Sequence, residues 1–217
     1  MAARVITAAQ ADVIITTCDP SGRKTAPLLS EIAAELGAYP ATWIGTTSFA
    51  TDSQSAVATA VALQERLDVS LIKLDVRTAD NVPDDHQTLS AARSILDLGL
   101  EVDLMPLITA DLAALRSVER LGCVAVRVYA SEIGSMNGIK DPERIARFIH
   151  ASTIPVVVEC GIGCAEDVVL ALRLGASAIL VNTAIAQSND PPGLARRLYE
   201  AAIGESERIL SSQGTVR

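Results

Sequence analysis

Lys73 lies in the apolar run Leu71-Ile72-Lys73-Leu74-Asp75-Val76. In a strand, period-two alternation puts Leu71, Lys73 and Asp75 on one face and Ile72, Leu74 and Val76 on the other. A strand covered on both faces rarely carries such a charged pair for packing. Burial disfavours an ammonium, and the neutral amine it leaves can attack a carbonyl carbon, so the residue types fit an imine-forming lysine. The plainer alternative is a Lys–Asp ion pair closing a strand end.

Two more strand ends offer chemistry. Pro155-Val156-Val157-Val158-Glu159-Cys160 runs into Gly161-Ile162-Gly163, which sets a carboxylate beside a turn whose backbone N–H groups could face a phosphate. Ala178-Ile179-Leu180-Val181-Asn182 leads into Thr183-Ala184-Ile185, a candidate second half of that cradle. A third loop, Gly134-Ser135-Met136-Asn137-Gly138-Ile139, supplies a hydroxyl and an amide. Arg127 alternates against Val126 and Val128 and is expected to meet an inward carboxylate, with Lys73 and Asp75 as its neighbours. Trp43 and Phe49 read as core or rim residues, and Cys160 and Cys164 as small packing residues.

The elements that must position these groups alternate along the chain. Strands are expected near 12–17, 41–46, 70–76, 101–106, 123–129, 155–160 and 178–182. Apolar residues at helical spacing fill Ala26–Leu36, Gln54–Leu67, Leu89–Leu98, Leu112–Leu121, Pro142–Ala151, Ala165–Leu174 and Leu194–Leu210, with an opening helix over Ala2–Gln10. The pairs Leu36-Gly37, Leu98-Gly99, Leu121-Gly122 and Leu174-Gly175 predict left-handed helix caps. A βα unit of about 30 residues repeated this way predicts an α/β fold with parallel strands. The expected architecture is a (βα)8 TIM-type barrel whose first strand is missing from this chain, with residues 1–217 as a single domain.

Composition narrows the partners. A net charge of −8 argues against a nucleic-acid backbone. No apolar stretch approaches the ~18 residues of a membrane span, so no membrane partner is expected. Four cysteines without paired spacing, and no secretory signal, fit a reducing cytoplasm rather than a disulfide framework or a zinc site. Two histidines leave little material for a histidine metal centre.

Taken together, these motifs resemble the bacterial thiazole synthase family. Pro155 to Asp190, PVVVECGIGCAEDVVLALRLGASAILVNTAIAQSND, is similar to its phosphate-binding end, LIKLDV to its lysine strand, MPLITADLAALRSVERLGCVAV to the following unit and IGSMNGI to its Gly-Ser loop. The likeness covers residues 54–210. It implies that Lys73 forms an imine with a sugar-phosphate ketone, that Glu159 and Asp75 move protons, and that Gly161, Gly163, Asn182 and Thr183 hold the phosphate. Gly134, Ser135 and Asn137 would form the substrate loop. Sulfur would come from the C-terminal thiocarboxylate of a small sulfur-carrier protein. No metal and no cofactor are implied, since the protonated imine is the electron sink; a homo-oligomer is expected.

Two departures bear on the product. The family's glutamate after the lysine and its aspartate before the glycine turn appear here as Asp75 and Glu159, exchanged in length, and the usual loop after the third strand is replaced by Gly45-Thr46-Thr47-Ser48-Phe49. A one-methylene shift moves a carboxyl by about 1 Å, enough to cost ~10²-fold in rate. The expected reaction is therefore sulfur insertion giving a 2-thiosugar phosphate, with thiazole synthesis from 1-deoxy-D-xylulose 5-phosphate as the alternative. A lysine-dependent sugar-phosphate aldolase and a catalytically silent scaffold barrel are further alternatives.

Overall fold

The computed structural model describes residues 1–18 and 28–214. Its strands are β1 (Val13–Thr16), β2 (Thr42–Thr46), β3 (Leu71–Leu74), β4 (Asp103–Ile108), β5 (Val126–Tyr129), β6 (Val156–Glu159) and β7 (Ala178–Leu180). The helices are α1 (Ala2–Ala9), α2 (Leu28–Leu36), α3 (Ser53–Leu67), α4 (Asp85–Asp97), α5 (Leu112–Arg120), α6 (Pro142–Ala151), α7 (Ala165–Arg173), α8 (Thr183–Ala186) and α9 (Pro191–Gly214). All seven expected strands and the expected helices are present; residues 26 and 27 of the helix expected over Ala26–Leu36 lie outside the described residues. The four-residue α8 was not expected, being too short to show a period.

The strands stand in chain order and every neighbouring pair is parallel, as right-handed βα repeats require. The sheet is strongly curled. In a flat sheet β3 and β6, three strands apart, would be separated by about 14 Å; here Lys73 of β3 reaches Glu159 of β6 at 3.5 Å across the interior. The fold is thus a TIM-type βα barrel with seven strands among the described residues. Helices α1 and α9 pack together, and the Tyr199 hydroxyl donates to Gln10 Oε1 at 2.9 Å.

Alternation assigns the two faces. Ile72, Leu74, Val76, Leu104, Ile108, Val126, Val128, Val156 and Val158 point outward into one core with Ala56, Ala60 and Leu63 of α3 and Phe148 of α6. Lys73, Arg127 and Glu159 point inward and are also buried. Close helix approach has a specific basis on β2: a Cβ on Gly45 would stand 2.7 Å from Leu63 Cδ1.

Helix starts are set locally. Asp52, Asp84, Asp111 and Asp141 accept from the backbone N–H of Ser55, Gln87, Ala114 and Arg144 at 2.7–2.9 Å, each satisfying a donor that the first turn leaves orphaned. The ends follow the expected glycine caps, with Gly37, Gly99, Gly122 and Gly175 all at positive φ. Among the described residues no helix is long and apolar enough to cross a membrane.

Phe148 is fully buried where α6 meets the sheet. Phe148→Ala should lower the unfolding free energy by about 3–5 kcal/mol, read from urea titrations followed by far-UV circular dichroism.

Candidate active site

The interior charges form one connected cluster at the carboxyl ends of β3, β5 and β6. Lys73 Nζ lies 3.4 Å from Asp75 Oδ2 and 3.5 Å from Glu159 Oε1, so the amine sits between two carboxylates. Arg127, with no solvent exposure, spans the same pair: Nη2 bonds Asp75 Oδ1, and Nη1 stands 2.9 Å from Glu159 Oε1. Two further bonds reach the backbone, Nε donating to the Met105 carbonyl at 2.9 Å and Nη2 to the Leu74 carbonyl at 2.8 Å. One guanidinium thus ties β3, β4, β5 and β6 together through the barrel interior.

Asp75 has two further donors, Arg77 Nη2 at 2.6 Å and Ser48 Oγ at 3.1 Å, both on Oδ2. Its backbone is pinned as well, since the Asp75 N–H donates to Thr47 Oγ1 and Thr47 Oγ1 donates to the Asp75 carbonyl, both at 2.8 Å. Burial alone would push this carboxyl up, but Arg127, then Lys73 and Arg77, outweigh it and hold Asp75 well below the ordinary carboxylate range. Burial would likewise lower Arg127, and the facing charges of Asp75 and Glu159 more than restore it. Formally the cluster carries three cations against two carboxylates, an excess of one positive charge in a chain whose net charge is −8.

The expected loops converge beside this cluster. The Gly138 N–H donates to the Gly161 carbonyl at 2.8 Å, joining the loop after β5 to the turn after β6. Gly161, at φ +82°, has no room for a Cβ against Ser131 and the Gly138 carbonyl, and a Cβ on Gly163 would stand 2.7 Å from the Met136 carbonyl oxygen. A Cβ on Gly134 would lie 3.6 Å from Thr183 Oγ1, which brings the start of α8 to the same place. Asn182 precedes α8 as its N-cap residue. Within the loop, Ser135 Oγ accepts from the Asn137 N–H at 3.3 Å and lies 3.3 Å from Ser131 Oγ. Gly134, Ser135, Asn137, Gly161, Gly163, Asn182 and Thr183 therefore belong to one group of neighbouring loops.

Sequence reasoning missed two participants. Asp167 Oδ2 accepts from the N–H groups of Gly163, at 2.8 Å, and Cys164, at 3.1 Å, so those amides are committed within the protein. The contribution of Gly163 is the close approach it permits. Arg77 was also missed, although 73, 75 and 77 continue the same alternation and could have revealed it. Of the side residues, Trp43 is half-buried and Phe49 is 84% exposed at the rim, just beyond Ser48. Cys160 takes φ +69°, with Sγ 3.7 Å from Glu159 Oε1; burial, then the Glu159 charge, pushes this thiol far up and makes it a poor nucleophile. Cys164 is exposed and stands at the N-cap of α7, not in packing.

Fold and cluster define a class, that of parallel βα barrels with a buried lysine flanked by two acids at the strand ends. The family model for "Thiazole biosynthesis protein ThiG" matches residues 1–215, and the chain belongs to that family. It is 38% identical over 157 residues to the thiazole synthase of Shewanella sediminis, covering 71% of this chain and 61% of that protein. The thiazole synthase of Shewanella amazonensis is 36% identical over 171 residues, covering 78% and 62%. This chain thus spans about three fifths of the length of these curated relatives. Among solved structures, the Amycolatopsis orientalis BexX/CysO complex matches with a TM-score of 0.89 and 43% identity, over 100% of this chain and 86% of that chain.

Arg127→Met should lower the unfolding free energy at pH 7 by about 3–5 kcal/mol, because it leaves buried carboxylates short of a counter-charge. The folded Asp75 titrates below the ordinary value of 3.8, so its stabilisation is complete above about pH 4 and is lost as pH falls toward the depressed native value. Urea titrations at pH 7 and pH 3 should therefore show the gap between variant and wild type narrowing in acid.

Proposed function

We propose that this chain is a sulfur-inserting synthase in which Lys73 forms an imine with the carbonyl of a phosphorylated sugar, and that its product is a 2-thiosugar phosphate. The observation that carries this reading is the placement of the Lys73 amine 3.4 Å from Asp75 and 3.5 Å from Glu159, inside a barrel and beside three converging loops. An amine so placed can pass its proton to a neighbour, attack a carbonyl and return as the protonated imine. The excess positive charge of the cluster favours an anionic substrate. Gly161, Gly163, Asn182 and Thr183 would surround its phosphate, with Gly134, Ser135 and Asn137 covering the sugar.

The chemistry balances without an external oxidant. Imine formation at the C2 ketone of a ketose phosphate expels its oxygen as water, and the sulfur of a carrier thiocarboxylate adds to that carbon while the C=N π electrons return to nitrogen. Water then cleaves the acyl–sulfur bond, freeing the carrier as its carboxylate, and loss of the Lys73 amine leaves sulfur on the sugar. Membership of the ThiG family supports the reaction class, and similarity to a chain solved in complex with a second protein, CysO, supports a protein partner. The 2-thiosugar product is favoured by the exchanged lengths of Asp75 and Glu159 and by the β2–α3 loop, which delivers Ser48 to Asp75. Thiazole synthesis is the second reading, supported by the names of the curated relatives. A cytoplasmic homo-oligomer is part of the same proposal; Cys123, Cys160 and Cys164 as free thiols suit a reducing compartment.

Borohydride reduction during incubation with 1-deoxy-D-xylulose 5-phosphate or fructose 6-phosphate should leave a mass adduct on the peptide containing Lys73, absent from Lys73→Arg. Adding a carrier thiocarboxylate should then move sulfur onto the sugar. No adduct with any sugar phosphate would leave a non-catalytic barrel, and an adduct without sulfur transfer would point to an aldolase.

A further inference from the structure

The two carboxylates beside Lys73 are not equivalent in their hydrogen bonding. An ionised carboxylate offers about four acceptor sites on its two oxygens. Asp75 meets four donor groups, with Arg127 on Oδ1 and Arg77, Ser48 and Lys73 on Oδ2. Thr47 fixes its backbone on both sides. Oδ2 thus meets more donors than it has lone pairs and Oδ1 carries a guanidinium, so Asp75 accepts a substrate proton only in competition with the cations already on it. Glu159 is used on one side alone: Arg127, Lys73 and the Cys160 thiol all approach Oε1, at 2.9, 3.5 and 3.7 Å. Its Oε2 is buried and has no hydrogen-bond partner. A buried carboxylate oxygen left open in this way is costly unless a ligand completes it.

We infer that the acids divide the work, Glu159 carrying the substrate proton through Oε2 and Asp75 acting as a positioning residue that holds Lys73 and the arginines in place. The inference rests on the imine reading above. In the protonated imine, Glu159 Oε2 removes the proton from the carbon next to C=N. The C–H bond breaks, its electron pair becomes the C=C bond of an enamine, and the C=N π pair passes to nitrogen and neutralises it. Glu159 is then a neutral carboxylic acid and returns the same proton in the next step. One group is base and acid in turn, so the site needs no second carboxyl that begins protonated.

Proton exchange on the bound sugar separates the two roles. Enzyme and sugar phosphate are mixed in D₂O and trapped with borohydride, and deuterium in the Lys73 adduct is read by mass spectrometry, with a pH profile of the exchange rate. Glu159→Gln should still give the adduct but lose exchange by ~10²-fold or more. Asp75→Asn should form the adduct ~10–100-fold more slowly, because the amine is displaced, while the adduct that forms still exchanges with the wild-type pH profile. If Asp75→Asn does not fold, Asp75→Glu keeps the charge and should behave the same way. Exchange at the wild-type rate in the Glu159→Gln adduct, or its loss in the adduct of an Asp75 variant, would overturn the division of labour while leaving the imine intact. Absence of any adduct in the wild type would overturn both.

Discussion

The structure turns on a single guanidinium placed where no water can solvate it. Arg127 is buried at the centre of the barrel and engages two carboxylates and two strand carbonyls. Isolated, such a charge would be far too costly to bury; with the acids in place it becomes the point that fixes four strands relative to one another. The lysine beside it gains its geometry from the same acids. Stability and chemistry are therefore coupled here: the carboxylates that orient the amine are also the ones that neutralise the core.

Part of this was legible in the sequence, for a definite reason. Strand alternation fixes which residues share a face, so Lys73 with Asp75, and Arg127 against its valines, could be read directly. The glycine caps were equally legible because a left-handed residue ends a helix wherever it falls. What could not be read was distance across the barrel. The Lys73–Glu159 contact depends on the curvature of the sheet, a property of all the strands together and not of any run of residues. Arg77 could have been found by extending the alternation past the last ladder residue, Leu74. Asp167 had a weaker signal, as the third helical residue after Cys164, where a carboxylate can reach back to amides that precede the helix.

Glycines at the strand ends act here mainly through contact between loops. Gly161 and Gly163 let the segment after β5 lie directly on the turn after β6, and the Asp167 carboxylate takes amides that a GxG motif alone suggests are open to a ligand. A GxG motif can therefore mark a junction between loops whose amides are already bonded within the protein.

The aspartate caps have a consequence for how such a barrel can change. Asp52, Asp84, Asp111 and Asp141 each begin a helix using only bonds within the next three residues. Each cap is consequently made by its own few residues, although neighbouring units still bond at their starts, as Ser53 N–H does to Gln87 Oε1. Exposed positions such as Phe49 can be rewritten without re-solving the packing beneath them, whereas Thr47, Ser48 and Ala50 of the same loop are bonded or packed into the hub, so the scaffold behaves as a set of partly interchangeable sockets around a fixed charged centre.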